Sequence, residues 1–252
     1  MRIENKHYVQ FKKENISVSD SGPKLLYGKI YLSIKTIQPF LVSDGVFWKG
    51  RLRFLRDTDG NIIIPGSSIK GAFRLYNEVF YDRKFVDKVF GSSGDMSKIM
   101  VNDVIIEKTR FMNIRKKNDF IFQQWGSNPE YLKNKEYNDT IRLYKCNDKD
   151  KAVRKIKVYI EPIRENEKIE VLIHFKDLSI NDIKHFLTAV GANPKYPFSI
   201  KMGRGKNYEK GRVKIIFEKL IEGSASEISI DNWEISEKLK RAINNYKQAL
   251  SC

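Results

Sequence analysis

Two short segments combine glycines with basic side chains, a composition that suits contact with phosphate groups. The first, KMGRGKNYEKGR at 201 to 212, holds three glycines and five Lys or Arg residues. Glycines let a backbone approach a phosphate closely and present its N–H groups. We predict phosphate contacts at Gly203, Arg204, Gly205, Lys206, Asn207 and Lys210. The alternative is a hairpin with a basic surface.

This loop is neither a dinucleotide fingerprint nor a Walker motif. Tyr208 stands where the first motif requires its next glycine, and Asn207 stands where the second requires Ser or Thr. The glycine and lysine content therefore predicts phosphate contact without specifying a nucleotide cofactor.

The second segment, IIIPGSSIKGAFR at 62 to 74, places two serines at the start of a helical pattern. A Ser67 or Ser68 N-cap would leave free N–H groups and a positive dipole end, which favour an anion. Lys70 and Arg74, four residues apart, share one flank and add charge. The predicted binding residues are Gly66, Ser67, Ser68, Lys70 and Arg74. The alternative is a well-capped structural helix.

The overall charge indicates a polyanionic partner. The formal net charge is +16 and the pI is about 9.6, which favours nucleic acid or an acidic membrane surface. No apolar run reaches the length of a membrane span and no strongly amphipathic basic helix is evident, so we expect no membrane partner. A Lys-rich solvated surface is the alternative.

Cysteine and histidine spacing predicts no metal site and no cofactor. Cys146, Cys252, His7, His174 and His185 are scattered, without zinc-ligand spacing. Two cysteines predict no disulfide framework and favour a reducing compartment. The N-terminus, MRIENKHYVQ, has no apolar region of a secretory signal, so we expect the cytoplasm.

Hydrophobic periodicity predicts the elements that position these segments. Alternation at 27–42 indicates a strand, with Ile30, Leu32 and Ile34 on one face and Pro39 at its end. Residues 43–61 indicate a long irregular connection. A helical stripe follows the serines, and further strands are expected at 98–108, 155–163, 168–178 and 212–220. Helices are expected at 179–191, with a Ser179–Asp182 capping box, and at 231–250.

This order predicts an α+β fold with helices on one face of a mainly antiparallel, ferredoxin-like sheet. Residues 109–158 interrupt it with 13 Lys or Arg against six Asp or Glu, and with interspersed aromatic rings. That composition suits single-stranded nucleic acid, whose bases stack on rings and whose phosphates meet cations. A flexible loop on a basic protein is the alternative.

Several segments resemble one known family. IIIPGSSIKGAFR is similar, nearly residue for residue, to the hallmark of the CRISPR-associated RAMP superfamily, in particular to backbone subunits of type III effector complexes. Segments in the same order as in the family are KTIQPFLVSDG, VFGSSG, IMVNDVIIEK, YIEPIRENEKIEV and MGRGKNYEKGRVKI. Residues 1–26 and 224–252 are not covered.

The resemblance implies a single RAMP domain over 1–252 with an RRM-like core that holds CRISPR RNA along its backbone. It also implies target RNA and other CRISPR-associated subunits as partners, and a thumb-like hairpin within 109–158. The thumb candidates are Arg115, Lys116, Lys117, Arg142, Lys151 and Arg154.

Some related subunits cut target RNA with an aspartate that lies six residues before the acidic residue aligned with Asp57. Arg51 occupies that position here, so we expect no nuclease activity. Asp44 is a weak substitute, and Asp44, Asp57 and Asp59 also suit turns.

Three alternatives stay open. They are a target-cleaving backbone subunit, a guide-processing endoribonuclease with a histidine base, and a protein-interaction cap subunit that touches RNA little. The +16 charge opposes the last of these.

Overall fold

The computed structural model describes residues 8–19, 24–48, 51–107, 139–146, 159–160, 162–206, 210–224 and 226–251. The strands are β1 Tyr8–Lys12, β2 Leu26–Thr36, β3 Ser43–Trp48, β4 Arg51–Arg56, β5 Ile62–Ile64, β6 Ile99–Val101, β7 Val104–Ile106, β8 Thr140–Tyr144, β9 Tyr159–Ile160, β10 Lys168–Leu178, β11 Ser199–Lys201, β12 Arg212–Glu222 and β13 Ser226–Ile228. The helices are α1 Gly66–Phe80, α2 Arg83–Phe90, α3 Ile180–Ala189 and α4 Glu237–Leu250.

The central sheet follows the order β11-β12-β2-β10-β6, and β13 pairs with β12. Each neighbouring pair is antiparallel. Ile34 pairs with Ile169 on one side and with Ile215 on the other, and these three side chains are at most 2% exposed. The alternation predicted for β2 and β10 is therefore confirmed, because one face of these strands is buried in the core.

Helices cover that buried face. Phe73 of α1 packs edge-on against Phe186 of α3, with 6.0 Å between ring centroids. Phe80 of α1 contacts Tyr246 of α4 at 5.8 Å. The apolar stripe predicted for α1 faces this core. The fold is therefore mixed α/β, with mainly antiparallel sheets and a C-terminal helix, as expected.

A second sheet corrects two expectations. Residues 43–61 were expected to be irregular, but β3 and β4 form an antiparallel pair there, and the sheet follows the order β3-β4-β5-β7 with β9 beside β4. The single strand expected at 98–108 is two short strands: β6 joins the central sheet and β7 pairs with β5. Cross-strand pairing between distant segments stabilises these strands, and local patterns do not report it.

The basic insertion is partly core. Strand β8, at 140–144, pairs with β1, and Ile141 and Leu143 are buried. The expectation of an arm outside the core is therefore wrong for β8. Residues 109–138 and 147–158 lie outside the described ranges.

Near the C-terminus, two further expectations change. The helix expected at 231–250 begins at Glu237, where the Ser236 hydroxyl accepts from the Leu239 N–H at 3.3 Å. Cys146 is fully buried and disulfide-bonded, contrary to the expectation of no disulfide. Its N–H donates to the Leu250 carbonyl at 2.7 Å, which places the end of β8 against the end of α4. None of the helices in the described ranges is long and apolar enough to cross a membrane.

Candidate nucleic-acid interface

The two predicted phosphate-binding segments lie at different levels of the central sheet. Strands β6 and β11 both run parallel to β2, since each is antiparallel to a strand that is antiparallel to β2. The carboxyl ends of β2 and β11 meet the starts of β10 and β12 at one edge, which we name the loop end, and the glycine-rich loop leaves β11 here. Strand β6 ends lower on the sheet, because Val101 lies opposite Ile173, which itself lies opposite Ile30 near the middle of β2. The start of α1 touches this end of β6.

The glycine-rich loop is held against the segment that follows β2. The Arg204 N–H donates to the Leu41 carbonyl at 2.7 Å, and the Gly211 N–H donates to the Pro39 carbonyl at 2.9 Å. At Gly203, φ is +80° and an added Cβ would lie 2.4 Å from the Leu41 carbonyl oxygen. Gly203 is thus required by close packing within the protein, a reason that the phosphate interpretation did not include.

Gly205 differs from Gly203. Its φ is +73°, but the nearest atom to an added Cβ is a side-chain carbon of Lys210 at 3.5 Å. Backbone conformation, rather than a neighbouring backbone, therefore accounts for this glycine.

Lysines cluster around the loop with little solvent contact. Lys201 is 1% exposed and its Nζ donates to the Lys206 carbonyl at 2.9 Å, while Lys210 is 5% exposed. Burial lowers the pKa of Lys206, whose ammonium lies 5.8 Å from the ring centroid of Tyr144. Because burial penalises the charged form, an anion bound here would offset that cost. Arg204 remains exposed beside them.

The start of α1 differs from the expectation. The residue before the helix is Pro65, which offers no side-chain cap, and neither Ser67 nor Ser68 is the N-cap. The first N–H of the helix, that of Gly66, donates to the Asp103 carboxylate at 2.7 Å. A carboxylate in the loop between β6 and β7 thus already stabilises the positive end of the helix.

The residues just after the start of α1 remain accessible to solvent. Ser67 and Ser68 are exposed and Lys70 is half-buried. Partial burial, with the nearby charge of Arg74, lowers the pKa of Lys70. Four strand spacings of about 4.8 Å, roughly 19 Å across the sheet, separate β6 from β11, and the end of β6 also lies about six residues, roughly 20 Å, further from the loop end along the strands.

Arg74 faces α2 rather than the loop. Its Nε bonds Glu78 at 2.9 Å, its Nη2 bonds Asp87 at 2.9 Å, and its Nη1 donates to the Gly91 carbonyl at 2.7 Å. The guanidinium therefore ties α1 to α2 and to the residue that ends α2.

The other candidates divide by location. Arg142 lies in β8, opposite Gln10 of β1. The backbone of Asp44 lies in β3, and its side chain is outside the described part of the chain. Predicted residues that fall outside the described ranges are Asn207, Arg115, Lys116, Lys117, Lys151 and Arg154.

The remaining acid and base candidates have structural partners. Both carboxylate oxygens of Asp57 accept from Asn61, at 2.7 Å from its backbone N–H and 2.8 Å from its side-chain amide. These bonds lower the pKa of Asp57, which acts as a turn residue. The Nδ1 of His185 lies 3.0 Å from the Tyr81 hydroxyl, and burial lowers the pKa of His185 to about 4. Within the described ranges, no three His, Cys, Asp or Glu residues are grouped to hold a metal ion.

Comparison with known proteins identifies the family. The model of the RAMP superfamily matches residues 33–214, well over half of the chain, and this match spans both candidate segments. The chain therefore belongs to the RAMP superfamily. No curated protein sequence matches it.

Two solved structures align with part of this chain. A chain of the Type III-B Cmr-beta complex bound to cognate target RNA aligns at 15% identity and a TM-score of 0.49, covering 78% of this chain and 61% of that one. Cmr4 from Pyrococcus furiosus, solved as an oligomer, aligns at 15% identity and a TM-score of 0.44, covering 79% of this chain and 100% of that one. The chain thus spans about three fifths of the first relative.

Proposed function

We propose that this protein is an RNA-binding subunit of a type III CRISPR effector complex, which holds CRISPR RNA through its sugar-phosphate backbone. The observation that carries the proposal is the glycine-rich loop, which places buried and exposed cations together at the loop end. The start of α1 adds a second group of phosphate-suited side chains beside the end of β6, namely the exposed hydroxyls of Ser67 and Ser68 together with Lys70. Membership in the RAMP superfamily and the net charge of +16 support the same ligand.

The core proposed for this role is ferredoxin-like. Two observations are consistent with that topology. The elements follow the chain order β2, α1, β6, β10, α3, β12, and the strands lie in the spatial order β12-β2-β10-β6. We propose one RAMP domain over 1–252, with the thumb-like element within 109–158 and its six basic candidates as further RNA contacts. Target RNA and other CRISPR-associated subunits are the proposed partners, in the cytoplasm.

We propose further that the protein has no nuclease activity of its own. Arg51 occupies the position that an aspartate takes in the cleaving relatives, and the Asp57 carboxylate is engaged by Asn61. If target cleavage is found, Asp44 is the residue to test first. In the part of the chain that is described, His185 is bonded to Tyr81, which disfavours the guide-processing alternative.

The test is the salt dependence of binding to a repeat-derived guide RNA. We expect replacement of both Arg204 and Lys206 by Ala to weaken binding and to reduce the slope of log K against log salt by about 1.4, since each contact to a single strand contributes about 0.7. Lys70→Ala should reduce it by about half as much. The matched control removes two exposed cations from α4, Lys238→Ala with Arg241→Ala, and should leave the slope unchanged.

A loss of the same size in the control would mean that overall charge, not the loop end, binds the RNA. Unchanged affinity in every variant would contradict the proposal and favour the cap-subunit alternative.

A further inference from the structure

The face of the central sheet opposite the helices carries a row of three lysines. Strand register places Lys214 of β12 and Lys168 of β10 directly opposite Lys35 of β2, one on each side. Thr36, the last residue of β2, is buried, so Lys35 is the outward-facing residue of β2 nearest the loop end. We name Lys214, Lys35 and Lys168 the lysine row.

Such a row is unfavourable without an anion. Like charges directly opposite each other on neighbouring strands destabilise a sheet. Lys168 has a partner, the Glu218 carboxylate at 3.0 Å. Lys35 and Lys214 are exposed and form no ion pair or hydrogen bond with another described side chain. Two adjacent, uncompensated cations favour a ligand with closely spaced negative charges.

A groove of about 590 Å³ begins beside the lysine row. The strands β2, β10 and β12 form its floor, and residues 102–106 form one wall. Tyr31 of the central strand β2 lines this groove, and it pairs with Leu172 of β10 on one side and with Lys219 of β12 on the other. The Lys219 ammonium lies 4.8 Å from the ring centroid of Tyr31. We name this space the sheet groove.

The sheet groove differs in charge from the lysine row. The sheet groove is also lined by Glu170, Glu218 and Asp103. The Ser33 hydroxyl and Lys168 lower the pKa of Glu218, which keeps it ionised. Carboxylates repel phosphate but accept hydrogen bonds from amino groups. Glu170 makes no hydrogen bond or ion pair with a described residue, so its acceptor oxygens are available.

We propose that the open face of the central sheet is a second contact surface for single-stranded RNA, with phosphates on the lysine row and a base in the sheet groove against Tyr31. Aromatic side chains on a sheet commonly stack bases of single strands. The carboxylates favour bases that carry an exocyclic amino group, namely adenine, cytosine and guanine, over uracil. This inference rests on the proposed RNA-binding function and extends it from the loop end down the sheet.

The first experiment measures the affinity of the full chain for short oligo(A), oligo(C) and oligo(U) by fluorescence anisotropy. We expect weaker binding of oligo(U) than of the other two. Tyr31→Leu keeps an apolar side chain without an aromatic face and should weaken oligo(A) binding by about tenfold. Tyr31→Phe keeps the ring and is the matched control, with affinity retained.

The second experiment replaces Lys35 and Lys214 with Ala. We expect weaker RNA binding and a salt slope reduced by about 1.4, with a melting temperature that is unchanged or higher because repulsion within the lysine row is relieved. A structural role for these lysines predicts the opposite, a lower melting temperature with RNA affinity unchanged. The control is the α4 pair Lys238→Ala and Arg241→Ala.

The outcomes separate this inference from the proposed function. If the Tyr31 and lysine-row variants bind RNA normally while the Arg204 and Lys206 variant does not, the second surface is refuted and the proposed function stands. If these variants keep RNA affinity but lose a protein partner, the occupant is protein and the inference is overturned. If no variant, including the Arg204 and Lys206 pair, changes binding, both proposals fail.

Discussion

The two glycines of the PGSSIKG segment should respond in opposite ways to the same substitution. An added Cβ at Gly66 would lie 2.0 Å from the Val101 carbonyl oxygen and 2.8 Å from that of Asn102, so backbone must move. At Gly71, in the next turn of α1, an added Cβ meets nothing within 4 Å. One glycine allows close packing of α1 on β6, and the other has no packing reason within the described structure.

These geometries give the expected magnitudes. Gly66→Ala forces overpacking that costs about 1–3 kcal/mol, and it also shifts the Gly66 N–H from Asp103. Gly71→Ala replaces glycine in a helix interior and should stabilise the protein by about 0.5–1 kcal/mol. In a chain of this size, 1 kcal/mol corresponds to roughly 2–4 °C in melting temperature.

The assay is thermal unfolding of both variants and the unaltered protein, followed by circular dichroism. Gly71→Ala should melt about 2 °C higher and Gly66→Ala several degrees lower. RNA binding adds a second readout, because Gly71 is exposed beside Lys70. If RNA lies against this turn, Gly71→Ala should weaken RNA binding despite its greater stability. Equal melting temperatures for the two variants would refute the close packing argument.

Two further predictions concern structural side chains. The pKa of His185 is about 4 in the folded protein against 6.5 for an unperturbed histidine. Between these two pH values the unfolded chain binds a proton at His185 and the folded chain does not. Roughly 3 kcal/mol of the free energy of unfolding should therefore be lost as pH falls from about 6.5 to 4. Urea unfolding should show this loss in the unaltered protein and a flatter profile in His185→Gln; identical profiles would contradict it. Arg74→Ala should lower the free energy of unfolding by only about 1 kcal/mol, because solvent screens its partly exposed ion pairs. The salt slope of RNA binding should not change. A reduced slope at unchanged stability would show that Arg74 binds RNA instead of joining α1 to α2.

Features governed by local periodicity could be predicted from the sequence. Alternation identified β10 at 168–178, and the stripe beginning at Ile69 identified the buried face of α1. The Ser179–Asp182 capping box forms as expected, with Ser179 Oγ accepting from the Asp182 N–H at 3.1 Å. Each of these depends on residues two to four positions apart, where spacing alone decides which side chains share a face.

Features set by distant residues could not be predicted in this way. The N-terminus of α1 is stabilised by Asp103, 37 positions away, so the neighbouring serines misled the cap assignment. Two of the three described partners of Arg74, Asp87 and Gly91, lie in α2 and just after it. The lysine row exists only through strand register, which brings Lys35 beside residues more than 130 positions away. Lysines at outward-facing positions of β2 and β12 could be seen in the sequence, but their pairing across the strands could not.

The most direct test of the central claim is to purify the protein from its native host and sequence the RNA that accompanies it. Repeat-derived guide RNAs, recovered together with other CRISPR-associated subunits, are the result that we predict. Recovery of the protein alone, or with mixed cellular RNA, would contradict a role in a type III effector complex.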